Sequence, residues 1–348
     1  MFEDFLTNSE SWLNGKGISS DIVFSSRIRL ARNICDFPFP WRSTKAQCQQ
    51  IMNKIKDEVF QISQLKDSLF IDLQATDELD KQFLLERHLI SQEHMVGLPG
   101  RAVIVSKDES FSFMVNEEDH LRLQVMKPGF DLNYCWQQLN GIDDKLASSM
   151  AFAYLDDIGY LTSCPTNVGT ALRASCMLRL PALVLTKRIN KILELLSKIS
   201  FTTRGLFGEG TQAYGDFFQI SNQVSLGLTE EELIDNLSGV VNQIKSQEVS
   251  ARDTLLTKYK LSVQDSVFRA LGILQNAMLI TTKEALSHLS MLSLGMDLGI
   301  IKDIRREVVN NLFITIQPAH LQKTESKVLK DKERRFIRAN IIRGHLKN

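Results

Sequence analysis

The chain carries none of the short signatures that most often announce nucleotide or metal chemistry. It has no Gly-x-x-x-x-Gly-Lys-Ser/Thr loop, no His-Glu-x-x-His and no Cys-x-x-Cys pair. Gly15-Lys-Gly17 is too short to cradle phosphates, and the six histidines show no ligand spacing, so no protein-built metal centre is expected. The five cysteines (Cys35, Cys48, Cys135, Cys164 and Cys176) are odd in number. That argues for reduced thiols and a cytoplasmic setting rather than a disulfide framework. No apolar run approaches the ~18 residues a membrane span requires. The opening Met1-Phe-Glu-Asp-Phe-Leu6 has no basic lead-in, so no secretory leader is expected. Net charge is missing too, with 41 Lys and Arg against 41 Asp and Glu, so nothing steers the whole molecule toward nucleic acid. Only Gln322–Asn348 is biased, with nine basic residues against three acidic ones. A solvated basic helix is the commoner meaning of such a run, and a nucleic-acid partner is unlikely.

What is present is ordered. A length of 348 residues suggests two domains. Residues alternate in Ala102–Ser106, Ser110–Val115, His120–Val125, Arg173–Leu180 and Phe217–Val224, which predicts strands, the first two forming a hairpin. Helical spacing covers Ala46–Phe60, Asp143–Asp156 and Leu183–Ile199, and Thr229-Glu-Glu-Glu232 is a capping box for a helix toward Lys258. From there on no strand pattern remains. Val263–Leu279, Thr282–Leu294 and Asp297–Phe313 read as helices, with a second capping box at Thr281–Glu284. The expected fold is therefore α+β over residues 1–256, followed by an all-α unit over residues 257–348.

Arginine recurs beside polar or glycine-rich turns, in Ser25-Ser-Arg-Ile-Arg29, Asp119-His-Leu-Arg122, Thr170-Ala-Leu-Arg173 and Thr203-Arg-Gly205. A guanidinium fork binds phosphate oxygens in pairs and keeps its charge, so several converging arginines could hold a triphosphate without a P-loop. Any one of them, taken alone, is more often a surface ion pair.

Four segments carry a family resemblance: Ser25-Ser-Arg-Ile-Arg-Leu-Ala-Arg-Asn33, Asn116-Glu-Glu-Asp-His-Leu-Arg122, Cys164-Pro-Thr-Asn-Val-Gly-Thr-Ala-Leu-Arg173 and Arg204-Gly-Leu-Phe-Gly-Glu209. In this order they resemble the catalytic domain of the phosphagen (ATP:guanido) kinases, and more closely the bacterial protein-arginine kinase branch. The large helical domain that phosphagen kinases carry before the first motif has no room here, which fits that branch. The resemblance implies an antiparallel sheet flanked by helices and a kinase acting on arginines displayed on proteins. A kinase for free guanidines and a catalytically idle phosphoarginine-binding adaptor are the alternatives.

By the same resemblance Glu118 is the catalytic base, Glu209 a second carboxylate on the guanidinium, and Cys164 a thiol aligning its non-reacting nitrogen. A guanidinium attacks only as a proton leaves it, so flanking carboxylates suit the chemistry. The resemblance also implies nucleotide contacts at Ser25, Ser26, Arg27, Ile28 and Arg29, at His88 and Arg122, and along Arg173, Ala174, Ser175, Cys176 and Met177. It adds Arg204, Gly205, Leu206, Phe207, Gly208 and Glu209. ATP is the implied cofactor, with Mg²⁺ arriving on its phosphates. The family has Gly where Ala171 stands. In the C-terminal unit Arg334 and Arg338 match an allosteric phosphoarginine motif whose acidic position is Arg335. The implied partners are protein substrates with accessible arginines, a second copy of the chain, a zinc-binding activator protein and a Clp protease.

Overall fold

Strand β1 (Val23–Arg32) explains most of the architecture, because its alternate residues serve two different surfaces. The structure is a computed structural model that describes Phe5, Trp12 and residues 14–206 and 214–347. Ile28 and Leu30 point to one side of β1 and are fully buried, whereas Arg27 and Arg29 point to the other. Strands β2 (Leu69–Asp72), β3 (Ala102–Val105), β4 (Phe111–Val115) and β5 (Leu121–Pro128) lie on one flank of β1. After the small hairpin of β6 (Tyr154–Leu155) and β7 (Gly159–Tyr160), strands β8 (Leu172–Arg179), β9 (Phe201–Arg204) and β10 (Phe217–Asn222) lie on the other. The order is β2-β3-β4-β5-β1-β8-β10-β9, every neighbouring pair antiparallel. Register keeps like with like: Ile28 faces Val125 and Ala174, while Arg29 faces Gln124 and Arg173.

Helix α1 (Lys45–Gln61) covers the apolar face; α2 (Glu78–Glu86) packs Phe83 and Leu84 on the opposite, arginine-bearing face against Val103, Val105 and Met114; and α3 (Leu132–Ser149) joins α1 over the apolar core. Beyond them come α4 (Pro181–Leu185), α5 (Ile189–Lys198) and α6 (Glu230–Lys258). Ile51, Ile55, Leu139, Leu146, Leu237 and Val241 meet Ile28, Leu30 and Ile220 there. Each such aliphatic side chain contributes roughly 1.5–3 kcal/mol by leaving water. The expected capping boxes form, with Thr229 and Thr281 each accepting from the backbone N–H three residues on.

Three helices differ from the pattern reading. The helix placed at Asp143–Asp156 runs over Leu132–Ser149 instead. Its buried stripe of Leu132, Cys135, Leu139, Ile142 and Leu146 begins earlier, and Asp131 caps its start by accepting from the Tyr134 N–H. Leu183–Ile199 is broken into α4 and α5 at Lys187, whose φ of +58° no α-helix accommodates. Asp297–Phe313 is not one helix either. The helix α8 (Thr282–Asp297) stops at Gly299, with φ +69°, and α9 starts only at Arg306.

Helices α7 (Lys260–Asn276), α8, α9 (Arg306–Thr315), α10 (Pro318–Thr324) and α11 (Asp331–Leu346) contain no strand between them. Leu286, Leu289, Leu312, Phe313 and Ile342 pack with Phe24, Met126 and Phe217, so this region rests against one end of the arginine-bearing face.

Candidate active site

Pairing brings the arginines together. Arg29 lies opposite Arg173 across β1 and β8, Arg122 opposite Ala31 across β5 and β1, and Arg204 opposite Gln219 across β9 and β10. All therefore look out of the same sheet face. A cavity of ≈150 Å³ is walled by Arg27, Arg29, His88, Arg122, Arg204 and Gln219. It adjoins one of ≈460 Å³ that shares Arg29, Glu93, Arg122 and Arg204 and adds Arg173, Glu117, Glu118, Asp119 and Cys164. Arg27 donates to Ser175 Oγ at 3.3 Å and to Gln219 Oε1 at 2.8 Å, and Arg173 Nη2 donates to Thr202 Oγ1 at 3.0 Å.

Like charges crowd Arg27 and Arg29. Burial, then the charges of Arg122, Arg173 and Arg204, pull Arg27 down to about 9, and the same causes with Arg27 itself pull Arg29 well below its ordinary value. The Nε and Nη2 of Arg29 are buried without a hydrogen-bond partner, which is costly unless an acceptor arrives. A polyphosphate supplies both the charge and the acceptors, so ATP fits this cleft. His88, partly buried with φ +58°, sits at the edge, and desolvation followed by the Arg27 charge depresses it to about 3. It is a neutral ring at physiological pH.

The carboxylates sit in the loop between β4 and β5, which is held from three sides. Asn116, in a left-handed turn with φ +53°, donates to Cys48 O and Gly100 O. Asn33 Nδ2 donates to Asp119 Oδ1 at 2.6 Å, and Ser163 binds both Asp119 Oδ1 and Glu118 O at 2.7 Å. Arg101 donates to the carbonyls of Asn116 and Glu117. Within that clamp the adjacent glutamates part ways. Glu117 is buried against Arg122, which donates to its two oxygens at 2.7 and 2.6 Å, and Ser91 also donates to it. Burial alone would raise its pKa, but Arg122 and the Ser91 contact overcome that and hold it at about 2. Glu118 lines the larger cavity with its side chain open to solvent, and partial desolvation, then Asp119 and Glu117, raise its pKa.

Cys164 faces the same cavity from the segment before Pro165, with Sγ 3.0 Å from Thr166 Oγ1. The remaining thiols divide. Cys135 and Cys176 are buried and pushed up by burial, Cys176 to about 12, whereas Cys48 is half-buried and Cys35 is exposed.

Not every expected nucleotide contact turns toward the cleft. Ser26, Ile28, Ala174 and Cys176 have the opposite parity and point into the core; Ser26 Oγ donates to Gly129 O there. Ser25, Ser175, Met177 and Leu206 lie on the cleft side, beyond the arginines, and Gly205 follows β9 directly. Phe207, Gly208 and Glu209 lie outside the described residues. In α11, Arg338 is buried and donates to Ile316 O and Ile280 O at 2.8 and 3.0 Å. Arg334 donates to Leu329 O, and Arg335 pairs with Asp331 at 2.8 Å. Asn33, Ser91, Arg101 and Ser163 were not anticipated as site residues. Only Asn33 left a signal, as the last residue of the first motif.

Two family models match the chain: ATP:guanido phosphotransferase, C-terminal catalytic domain, over residues 50–251, and Protein-arginine kinase McsB C-terminal domain over residues 260–348. A protein-arginine kinase of Clostridium novyi is 43% identical over 97% of this chain and 98% of its own length. That of Halothermothrix orenii is 44% identical over 97% of each.

The chain belongs to the protein-arginine kinase family.

It is thus a phosphotransferase, and solved structures agree on the fold. Lombricine kinase superposes with a TM-score of 0.59 at 25% identity, over 70% of each chain. The duplicated taurocyamine kinase of Schistosoma mansoni gives 0.60 at 28% identity, over 66% of this chain and 33% of that one. The antiparallel sheet flanked by helices, followed by a helical C-terminal region, is the phosphagen kinase fold with the family's own extension. Among the described residues no helix is long and apolar enough to cross a membrane.

Proposed function

We propose that the chain transfers the γ-phosphoryl group of ATP to the guanidinium of arginines carried on proteins. The observation that supports this best is that Glu118 and Cys164 line the same cavity as Arg29, Arg122, Arg173 and Arg204. In the reaction a guanidinium nitrogen forms the P–N bond, the bond from Pγ to the bridging oxygen of ADP breaks, and Glu118 takes the proton. Its raised pKa makes it a stronger base than an ordinary glutamate. The arginines align the phosphates and meet the charge on the transferring oxygens. Glu117, held down by Arg122, fixes that arginine rather than taking part in proton transfer. Cys164 and Glu209 would orient the guanidinium.

Mg²⁺ bound to ATP would add positive charge at the bridging oxygens, held by phosphate rather than by a protein cage. Arg338 already satisfies two main-chain carbonyls, so Arg334 is the better placed of the expected phosphoarginine pair to meet a phosphate. The boundary at 256/257, the homodimer, the zinc-binding activator, delivery of marked proteins to a Clp protease and a cytoplasmic setting belong to the same reading.

A free amino acid brings an α-ammonium and an α-carboxylate that a dedicated site must match; an arginine within a protein does not. The test compares specificity constants for free L-arginine and for an unfolded protein such as casein, with acid-labile P–N products preserved. Casein is expected to be preferred by at least about tenfold. Equal or higher values for free arginine would return the chain to the free-guanidine kinases.

A further inference from the structure

The cleft continues past the arginines into a third cavity. It shares Arg27, His88, Leu206 and Gln219 with the ≈150 Å³ cavity, but its far walls are Trp12, Phe24, Met126 and Met177. From carboxylate and thiol, through guanidiniums, to an apolar end is the order of a guanidinium, a triphosphate and a nucleobase. This inference therefore rests on the ATP reading above.

The apolar end is shut. Its cavity is ≈10 Å³, room for about one water and none for a purine. Phe24, Met126, Met177 and Gln219 cannot readily withdraw, because β1, β5, β8 and β10 are each paired on both sides. Trp12 belongs to no helix or strand. Its ring meets His88 edge-on at 5.5 Å and Phe24 at 5.7 Å, and only 3% of the residue is exposed. Its Nε1–H is buried without an acceptor. Such a group disfavours the closed arrangement and gains a partner from water as soon as the ring swings out.

We propose that Trp12 gates the nucleobase end of the cleft: its indole fills that end against His88 in the nucleotide-free protein, and a purine enters by displacing it into solvent. Only the open fraction accepts the base, so the gate weakens apparent ATP affinity by that fraction and leaves a base-free polyphosphate unaffected.

The experiment uses the full chain with Trp41→Phe and Trp136→Phe, which leaves Trp12 as the sole indole of the original three. Saturating ATP-Mg should shift its emission to the red, and inorganic tripolyphosphate should not. In calorimetry Trp12→Ala should tighten ATP binding by about three- to tenfold and change tripolyphosphate binding by less than about twofold. ATP that binds without an emission shift overturns the gate, as does an equal shift with tripolyphosphate. So does a Trp12→Ala protein that binds ATP no better than its parent. Should Trp12→Ala not fold, the emission titration decides alone. Absence of any ATP binding heat in the unmodified chain would be a different failure, that of the nucleotide reading itself.

Discussion

Glu117 and Glu118 are covalent neighbours, yet their surroundings give them opposite chemistry. Arg122 and Ser91 overcome burial at Glu117 and keep it ionised down to about 2. No comparable partner offsets desolvation at Glu118, and the charges of Asp119 and Glu117 push it further up. A base works in its deprotonated form, so a raised pKa moves the loss of activity on acidification to a higher pH than an ordinary glutamate would give. In wild type kcat should fall as pH drops through that raised value. Glu118→Gln should lower kcat by more than about tenfold, a barrier increase above ~1.4 kcal/mol, and erase the acid limb. Its ATP affinity, by calorimetry, should stay within about twofold, since the arginines hold the nucleotide. Retention of the acid limb in the variant would move the base elsewhere.

At the level of elements, the site depends on two loops pinned to strand ends. The loop between β4 and β5 is tied by Asn33, Arg101 and Ser163, and the Cys164–Ala171 segment is tied to Ser225, whose carbonyl accepts from Thr170 N at 3.1 Å. Ala171 closes the second segment with φ +52°. An L-residue there carries roughly 1–2 kcal/mol of steric strain. Glycine would remove that strain and cost roughly 0.5–1 kcal/mol in unfolded-chain entropy. The strain relief is the larger effect, so Ala171→Gly should stabilise the protein slightly, by about 0.5 kcal/mol in urea unfolding. A loss of stability would mean that the buried methyl packs better than its backbone angle suggests. Strands β3, β4, β5, β8 and β10 were legible from alternation, whereas β1, β2 and β9 were not read as strands; β1, buried almost throughout, shows no exposed face. Helix ends were less so: Lys187 breaks its helix with a non-glycine residue at φ +58°, which local spacing does not announce, whereas Gly299 at φ +69° is a stop the sequence itself carries.

Across the whole molecule, buried ions join the sheet to the C-terminal helices. Asp297, at the end of α8, is fully buried and accepts from Arg179 at 2.8 Å, Arg252 at 3.1 Å and Arg306. Glu86, two residues before His88, accepts from Ala319 N and His320 N at the start of α10, and Arg87 pairs with Glu109. The nucleotide edge and the helical region thus share consecutive residues. Asp297→Asn would leave three guanidiniums without their common carboxylate, at a cost of about 3–5 kcal/mol. Thermal and urea unfolding should both report that loss. A change below about 1 kcal/mol would mean that the hub behaves as a surface ion pair.

The sequence by itself determined five of the strands, the capping boxes at Thr229 and Thr281, and the family, because each is written in local spacing or in linked motifs. Its motifs also singled out Arg27, Arg29, Arg122, Arg173, Arg204, Glu118 and Cys164, which the fold brings to adjoining cavities. Tertiary structure alone decided which neighbour in a motif faces the cleft. Ser26, Ile28, Ala174 and Cys176 share motifs with the arginines but point into the core, since strand pairing assigns alternate residues to opposite faces. It alone divided Glu117 from Glu118, because a carboxylate's affinity for its proton is set by the charges and burial that folding brings to it, not by its place in the chain.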